Sequence, residues 1–325
     1  MKRIKLGALE VSEQGLGLMG MSEFRGRPGD WDESIATIRR AIDLGVTFLD
    51  TADVYGAGHN EVLLGRAIHG LRERVEIATK FGIDRSQGDS AWKLRGNRAY
   101  CRKSCDSSLM RLGTDYIDLY YLHFPPQDVE IEETIDAMAE LVKEGKVRAI
   151  GLSNAPSEII RRACSVHPIA ALQGEYSLWE RRIEDVSPVL AEFGVGLVAY
   201  APLGRGLLSG MVKIEKLDDM DFRRRNPRFE GEAAAAHQTI IDNVNLIATH
   251  YGAPSSHVAL AWVHAQIPRL GINIVPIPGT KTVKWLVENV EALSLKLASD
   301  DLTKLNKLAA GLSGDFSVSH AKRQS

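Results

Sequence analysis

The sequence has few cysteines and lacks any long apolar run. Its three cysteines, Cys101, Cys105 and Cys164, are too few and too irregularly spaced for the disulfide framework of a small secreted fold, so a reducing compartment fits best. The N-terminus lacks the apolar run of a signal peptide, and no stretch reaches the roughly 18 apolar residues of a membrane helix. We therefore expect a cytoplasmic protein without a membrane partner.

An excess of charge of either sign is also missing. The chain has 40 basic and 42 acidic residues, a formal net charge of -2, which offers no broad attraction for nucleic acid or an anionic surface. Cys101 and Cys105 are four residues apart on a predicted helix, but no other ligands stand near them at metal-binding spacing, so we predict no metal. The length of 325 residues suits one α/β barrel, and we expect a single domain over 1–325.

Short apolar runs alternate with longer amphipathic segments about eight times along the chain. The runs are apolar almost continuously, as in parallel strands that are covered on both faces. This rhythm predicts a (β/α)8 barrel, also called a TIM barrel. The predicted strands are 15–19, 47–52, 75–81, 117–124, 147–153, 171–176, 196–201 and 272–277.

The segments between the strands show helical periodicity and glycine stops. Residues 31–44 place apolar side chains near one face and end at Gly45, and residues 131–143 end before Gly145. A doubly wound sheet is the competing fold. No Gly-x-Gly-x-x-Gly turn follows an early strand, so the dinucleotide fingerprint of that fold is missing.

Two further segments are assigned to the ends of the barrel. Residues 1–11 contain a Leu-Gly turn between short β-prone pieces, which predicts a hairpin that caps the barrel floor. Residues 211–232 are highly charged and indicate a long loop on the active face, although a plain solvated loop fits the same pattern. The charged residues of this loop include Asp221, Arg223, Arg224, Arg225 and Arg228.

Polar residues follow three consecutive predicted strands. Asp50 ends the second strand with Tyr55 in the loop after it, Lys80 ends the third strand, and His123 ends the fourth. Each residue alone has an ordinary structural explanation, such as a turn cap or an outward-reaching lysine. Because the carboxyl ends of barrel strands gather catalytic groups at one rim, their convergence predicts an active site.

The segments DTADVYG, IATKFG and DLYYLHF, in this order and at these strand ends, resemble the aldo-keto reductase superfamily. The similarity extends to GLSN, QGEYSLW, AYAPLGRGLL and IPGTKTVKWLVENV and spans nearly the whole chain. It implies NADPH-dependent reduction of an aldehyde or ketone, or the reverse oxidation of an alcohol to give back NADPH from NADP+. Tyr55 would be the acid, and Asp50, Lys80 and His123 would complete a catalytic tetrad.

The physical chemistry agrees with these roles. A free tyrosine has a pKa of about 10 and donates a proton sluggishly at neutral pH unless a cation favours the phenolate. Lys80 supplies that cation, and Asp50 keeps Lys80 charged on burial. His123 would orient the substrate carbonyl.

The resemblance also implies a set of cofactor contacts. Residues matching the nicotinamide contacts are Ser153, Asn154 and Gln173, with Tyr200 under the ring, although Tyr200 also suits plain core packing. Thr280 and Lys281 near the start of a helix would favour the 2′-phosphate, and hence NADPH over NADH. Trp285 departs from the polar residue of many relatives, which leaves more of this selectivity to Lys281 and Lys284. The remaining implied cofactor contacts are Gly17, Met19, Pro202, Leu203, Gly206, Leu208, Gly279, Glu288 and Asn289.

The substrate and the oligomeric state stay open at this point. Aromatic and basic residues in the predicted loops suit a substrate pocket or simple loop anchors: Phe24, Arg25, Trp92, Phe124 and Trp179. A small carbonyl compound or alcohol is the expected partner. The alternatives are a cofactor-binding regulatory subunit, similar to the potassium-channel β subunits, and an aldolase-type barrel in which Lys80 forms a Schiff base. The carboxylate of Asp50 argues against a neutral, nucleophilic Lys80.

Overall fold

A computed structural model describes residues 1–23, 28–88, 92–212, 217, 221, 223 and 231–310, with side chains omitted at 231–236 and 309–310. Eight parallel strands form its central sheet, in the order in which they follow one another along the chain. The amide of Gly15 donates to the carbonyl of Pro276 over 2.9 Å, and Gly17 pairs with Gly279, so the first and last strands meet. The sheet is therefore closed into the expected (β/α)8 barrel. Its strands are β3 (Leu16–Gly17), β4 (Phe48–Asp50), β5 (Glu76–Phe81), β8 (Ile117–Leu122), β9 (Val147–Ser153), β10 (Ala171–Glu175), β11 (Gly196–Tyr200) and β12 (Ile274–Pro276).

Helices surround the barrel and connect its strands. Asp30 caps the first helix by accepting from the Glu33 amide at 3.0 Å, and Gly45 beyond its end has a φ of 84°. A left-handed residue at this place is the usual end of a helix, and glycine adopts it without strain. The helices are α1 (Trp31–Asp43), α2 (His59–Ala67), α3 (Arg98–Leu112), α4 (Ile131–Lys143), α5 (Ser157–Val166), α6 (Ser187–Phe193), α7 (Gly231–Tyr251), α8 (Ser255–His264), α9 (Ile267–Leu270), α10 (Val283–Glu291) and α11 (Ser299–Ala310).

The N-terminal hairpin of β1 (Arg3–Leu6) and β2 (Leu9–Ser12) closes the floor of the barrel, as predicted. Leu6 and Val11 belong to the apolar cluster inside the barrel, together with Phe48, Leu119 and Val198. Gly7 at the turn has a φ of 56°, and a Cβ at this position would lie only 2.8 Å from the Cα of Ala170. The hairpin thus fills the end of the barrel opposite the predicted active site.

The same inward cluster fixes the direction of the predicted site residues. Phe48, Ala78 and Leu119 point into the barrel. Side chains two positions apart on a strand share a face, so Asp50 and Lys80 also point inward, one step nearer the carboxyl end. The apolar residues fill the bottom of the barrel and the polar residues occupy its mouth.

Two features differ from the sequence expectation. The first, second and last barrel strands are about half as long as predicted, at Leu16–Gly17, Phe48–Asp50 and Ile274–Pro276. A small hairpin, β6 (Ile83–Asp84) with β7 (Lys93–Leu94), stands in the loop after β5 and was not predicted. Strands of two residues carry too little periodicity to be recognised.

Candidate active site

The ammonium of Lys80 lies at the centre of the barrel mouth. Its Nζ donates to Asp50 Oδ1 at 2.6 Å, to the carbonyl of Thr51 at 2.7 Å and to Tyr55 Oη at 3.4 Å. Lys80 is fully buried, and Asp50 and Tyr55 are 3% and 8% exposed. An ammonium has three donors, so these three contacts use all of them.

Burial and charge pull the pKa values of this group in opposite directions. Burial alone would lower the pKa of Lys80, but Asp50 and Tyr55 outweigh it and the pKa is raised, so the ammonium stays charged. Burial raises the pKa of Asp50, and Lys80 and Gln173 oppose this. Burial also raises the pKa of Tyr55, and Lys80 offsets it only in part. The sequence argument foresaw the effect of Lys80 on Tyr55 but not the larger opposing effect of burial.

His123 lies beside Tyr55, one residue beyond the end of β8. The two rings lie 6.0 Å apart between centroids in an edge-to-face arrangement. Phe124 stacks on the His123 ring at 5.4 Å and 9°, which fixes the plane of the imidazole. The structure therefore brings together Asp50, Tyr55, Lys80 and His123, the four residues that the sequence predicted to converge.

The predicted nicotinamide contacts form a second group beside the first. Ser153 and Gln173 are direct partners in the ladder between β9 and β10, and the Asn154 amide donates to the Gln173 carbonyl at 3.0 Å. Asn154 Nδ2 donates to Ser153 Oγ at 2.9 Å, and Tyr200 Oη donates to Asn154 Oδ1 at 3.2 Å. Four residues from three strands thus lie in one polar cluster.

Two contacts join this cluster to the catalytic group. Asn154 Nδ2 donates to the carbonyl of His123 at 3.4 Å. Gln173 Nε2 donates to Asp50 Oδ2 at 2.7 Å, and Gln173 is 3% exposed. The second contact was not expected, because the sequence assigned Gln173 to the cofactor alone.

Backbone strain concentrates around the same mouth. Among the described residues, left-handed φ values outside glycine occur at Ala57, Asn154, Ala201 and Arg205, between 51° and 59°. Each lies in a loop that follows a barrel strand. Such conformations cost about 1–3 kcal/mol and cluster at functional sites, so their position supports this end of the barrel as the site.

The glycine-rich segment after β11 turns back on itself. The amides of Gly206 and Leu208 both donate to the carbonyl of Leu203, at 2.9 and 3.1 Å. Gly206 has a φ of 97°, which only glycine adopts readily. Pro202 and Leu208 are buried, so the predicted cofactor contacts of this segment reach the surface through Leu203 and Gly206.

Gly17 and Gly279 form the seam of the barrel, where a Cβ on either would lie 3.0 Å from a backbone oxygen. The chain then passes to α10, whose start carries a side-chain turn. Thr280 Oγ1 accepts from the amide of Thr282, the residue that precedes the helix, at 3.2 Å. Lys281 lies between them, and its carbonyl accepts from Thr37 Oγ1 at 3.1 Å.

The other basic and adenine candidates lie on α10 itself. The Lys284 ammonium stands 4.4 Å from the centroid of the Trp285 ring, a cation–π contact. Glu288 accepts from the Ser256 hydroxyl of α8, and the carbonyl of Asn289 accepts from Gln14 at 2.8 Å. The contacts of Glu288 and Asn289 join the last turns of α10 to the rest of the protein.

An apolar patch lines the mouth beside Tyr55. Met19, Trp92 and Phe124 pack against the cluster that contains Tyr55 and Ile83. Trp179 does not join them, because its ring packs edge-on against His237 at 4.9 Å and closely over Gly204. Phe24 and Arg25, also predicted for the pocket, fall outside the described residues.

Sequence reasoning missed the residues that hold the Tyr55 loop in place. Glu23 Oε2 accepts from the Gly56 amide at 2.9 Å, and Arg85 pairs with the same carboxylate at 2.8 Å. Arg85 also donates to the carbonyl of Val54 at 3.3 Å. These contacts join loops that follow three different strands, and nothing in the spacing of the residues signals them.

The long charged loop contacts the glycine-rich segment through Arg223. Arg223 pairs with Asp221 at 2.6 Å and donates from Nη1 to the carbonyl of Arg205 at 2.8 Å. Arg205 in turn pairs with Glu175 at 2.6 Å. The loop residues Arg224, Arg225 and Arg228 lie outside the described part of the chain.

Within the ranges that the structure describes, no three His, Cys, Asp or Glu side chains group in a way that could hold a metal ion, and the three cysteines are unpaired. No helix in those ranges combines the length and apolarity needed to cross a membrane.

Comparison with known proteins agrees with the fold. The family model described as the aldo/keto reductase family matches residues 15–310, so the chain belongs to this family. A thermostable aldo-keto reductase in complex with the inhibitor epalrestat is 31% identical with a TM-score of 0.76, and the match covers 95% of this chain and 100% of that one.

Two further solved structures are similar over nearly their whole length. The glycerol dehydrogenase of Gluconobacter oxydans is 27% identical with a TM-score of 0.84, and the match covers 95% of this chain and 94% of that one. An aldo/keto reductase of Klebsiella pneumoniae in complex with NADP and acetate is 29% identical with a TM-score of 0.72, with 92% of each chain covered. Together with the family model, these relatives indicate an oxidoreductase.

Proposed function

We propose that this protein reduces an aldehyde or ketone to the alcohol with NADPH, reversibly, and that Tyr55 donates the proton. The observation that carries the proposal is the position of the Lys80 ammonium, 2.6 Å from Asp50 and 3.4 Å from Tyr55 in a buried barrel mouth. The family and the NADP-bound relative support the cofactor class. We also propose that residues 1–325 form one reductase domain and that the protein is cytoplasmic.

Tyr55 neutralises the charge that develops on the substrate oxygen. Reduction needs hydride, which no side chain offers and which a reduced nicotinamide supplies when bound. The raised pKa of Tyr55 keeps the phenol protonated at neutral pH, so the proton is present when the alkoxide forms. Lys80 then stabilises the phenolate that remains, and Asp50 keeps Lys80 charged.

His123 and its neighbours set the position of the carbonyl group. The imidazole packs edge-to-face beside Tyr55, with the ring centroids 6.0 Å apart, so one carbonyl oxygen at the mouth could reach both polar side chains. A hydrogen bond from the imidazole orients that carbonyl for attack. Met19, Trp92 and Phe124 provide an apolar surface, which favours carbonyl compounds with an apolar or aromatic substituent.

The polar cluster of the second half of the barrel fits a nicotinamide. Ser153, Asn154 and Gln173 bear the hydroxyl and amide groups that pair with a carboxamide, and Tyr200 offers a flat aromatic face. The ring of Tyr200 is held through its hydroxyl by Asn154 at 3.2 Å. These residues would hold the reactive ring next to His123, to which Asn154 is already bonded.

The start of α10 suits the adenosine 2′-phosphate. Helix N-termini attract anions through their amides and dipole, and Lys281 adds a positive charge immediately before α10. This combination favours NADPH over NADH. Glu288 and Asn289 on the same helix are the proposed adenine contacts, and the backbone at Gly17, Leu203, Gly206 and Gly279 would contact the rest of the cofactor.

The direct test is turnover with a simple substrate. Purified protein is mixed with NADPH and para-nitrobenzaldehyde, and the loss of NADPH is compared with the appearance of the benzyl alcohol. We expect sustained turnover with one alcohol formed for each NADPH consumed. Tight NADPH binding without steady-state turnover across a panel of aldehydes and ketones would contradict the proposal.

A further inference from the structure

The side chain of Gln173 makes a contact that a cofactor-binding role does not require. Its Nε2 lies 2.7 Å from Asp50 Oδ2. Gln173 lies on β10 and Asp50 lies on β4, and three strands, β9, β8 and β5, stand between them in the sheet. The hydrogen bond therefore crosses the interior of the barrel and joins its two halves.

The chemistry of the partners fixes the direction of this hydrogen bond. An ionised carboxylate only accepts, so the amide group that faces Asp50 is the NH2 end of Gln173. The opposite orientation would bring two acceptor oxygens together. Lys80 donates to the other oxygen, Oδ1, at 2.6 Å, so the carboxylate of Asp50 is held at both ends by different donors.

Loss of the Gln173 donor would change how Lys80 distributes its own hydrogen bonds. Asp50 is 3% exposed, so Oδ2 would lose its hydrogen bond inside a buried site, where the Tyr121 hydroxyl, whose pKa is raised by burial and by Asp50, is a further titratable group. The carboxylate lowers its energy by turning Oδ2 toward the ammonium of Lys80. Of the three contacts of Lys80, the one to Tyr55 is the longest at 3.4 Å, and it is the first to be lost.

We propose that Gln173 is a positioning residue for the acid: by donating to Asp50 Oδ2, it holds the carboxylate so that Lys80 stays directed at Tyr55. The inference deepens the proposed function and rests on it for its kinetic consequence. Gln173 would then have a role in proton transfer that is separate from any contact with the cofactor, because this role depends on its hydrogen bond to Asp50 across the barrel.

The test compares Gln173→Met with Ser153→Ala. Methionine has a similar length and volume but no donor, so it removes the hydrogen bond to Asp50 without opening a large cavity. Ser153 is the direct ladder partner of Gln173 and belongs to the same proposed carboxamide site, but its hydroxyl is bonded to Asn154. Ser153→Ala therefore disturbs the cofactor site and spares Asp50.

The first measurement needs neither cofactor nor substrate. Tyrosine labelled with ¹³C at Cζ reports phenol ionisation by NMR, and Tyr55 is identified among the 8 tyrosines as the signal missing in Tyr55→Phe. We expect the Tyr55 titration to move to higher pH in Gln173→Met and to stay at the wild-type position in Ser153→Ala. A Tyr55 titration that is the same in Gln173→Met and wild type would overturn the inference.

The second measurement separates acid chemistry from cofactor binding. With para-nitrobenzaldehyde and saturating NADPH, we expect kcat of Gln173→Met to fall by about 10-fold or more, since a displacement of about 1 Å can cost roughly 100-fold. Ser153→Ala should show its effect in the KM for NADPH. A change confined to the KM for NADPH in Gln173→Met would mean that the residue serves the cofactor alone.

A second variant guards against misfolding of the first. Gln173→Glu keeps the length of the side chain, and its protonated carboxyl restores a donor to Asp50. Its kcat should therefore show an additional decline as pH rises and the carboxyl loses its proton, at a lower pH than the decline that ionisation of Tyr55 causes in the wild type. A kcat profile of Gln173→Glu that matches the wild type contradicts the inference. Failure of the wild type to reduce any carbonyl would refute the proposed function but leave the NMR result decisive for Gln173.

Discussion

Replacement of Lys80 by methionine perturbs the site at its centre. Lys80 is fully buried, and methionine fills much of its space but carries no charge or donor. The substitution leaves Asp50 as a buried carboxylate without its cation and the Thr51 carbonyl without its donor. Breaking a buried ion pair from one side costs about 3–5 kcal/mol, so we expect the free energy of unfolding to fall by that amount.

A second substitution should recover part of this loss. Asp50→Asn alone leaves the Lys80 ammonium without a counter-ion, and it should also destabilise the protein. In the double variant neither charge remains, and the asparagine can still accept from Gln173. We expect the double variant to be more stable than the sum of the two losses predicts, by about 1–3 kcal/mol.

Urea unfolding, followed by circular dichroism and tryptophan fluorescence, measures this coupling in all four proteins. The double variant should regain stability but not turnover, because Tyr55 still lacks its cation. Strictly additive losses would refute the reasoning, since they would mean that Lys80 and Asp50 do not stabilise one another. A Lys80→Met protein as stable as the wild type would refute it as well.

Three further expectations follow from the site. Because burial raises the pKa of Tyr55, kcat/KM for carbonyl reduction should stay constant through neutral pH and fall as pH rises through that raised value. The rate of alcohol oxidation should rise over the same pH range. A kcat/KM for reduction that already falls as pH rises toward 7 would contradict this assignment. Lys281→Ala should raise the Kd for NADPH by about 10- to 100-fold, the value of a charge-assisted contact, and leave that for NADH unchanged in fluorescence titrations. Glu23→Ala should speed hydrogen exchange of the Gly56 amide, because it removes the carboxylate that accepts from this amide at 2.9 Å; unchanged exchange would show that Glu23 does not hold the loop.

Much of the barrel was predictable because its rules are local. Parallel strands that are covered on both faces are continuously apolar, and the glycines at 45 and 145 end helices where a left-handed residue is needed. The convergence of Asp50, Lys80 and His123 also followed from the sequence. Their strands, β4, β5 and β8, are neighbours in the sheet and all point their carboxyl ends to one rim.

The parts that were not predictable depend on distances across the barrel. Gln173 reaches Asp50 only because the interior is narrow enough for the two side chains to meet, and no spacing along the chain encodes that width. The direction of the Tyr55 pKa depends on how deeply the phenol is buried, and this depth follows from the packing of Met19, Trp92 and Phe124 around it. The local sequence pattern predicts which residues face the mouth of the barrel, whereas the packing around them determines their contacts and pKa values.

The role of Tyr55 as proton donor is tested most directly by Tyr55→Phe, which removes one hydroxyl and keeps the ring. In a single experiment, kcat for para-nitrobenzaldehyde reduction and the Kd for NADPH are measured for this variant and the wild type. We expect kcat to fall by about 10²- to 10⁴-fold, the value of positioned acid catalysis, with the Kd nearly unchanged. A variant that retains the wild-type kcat would show that the proton comes from another group.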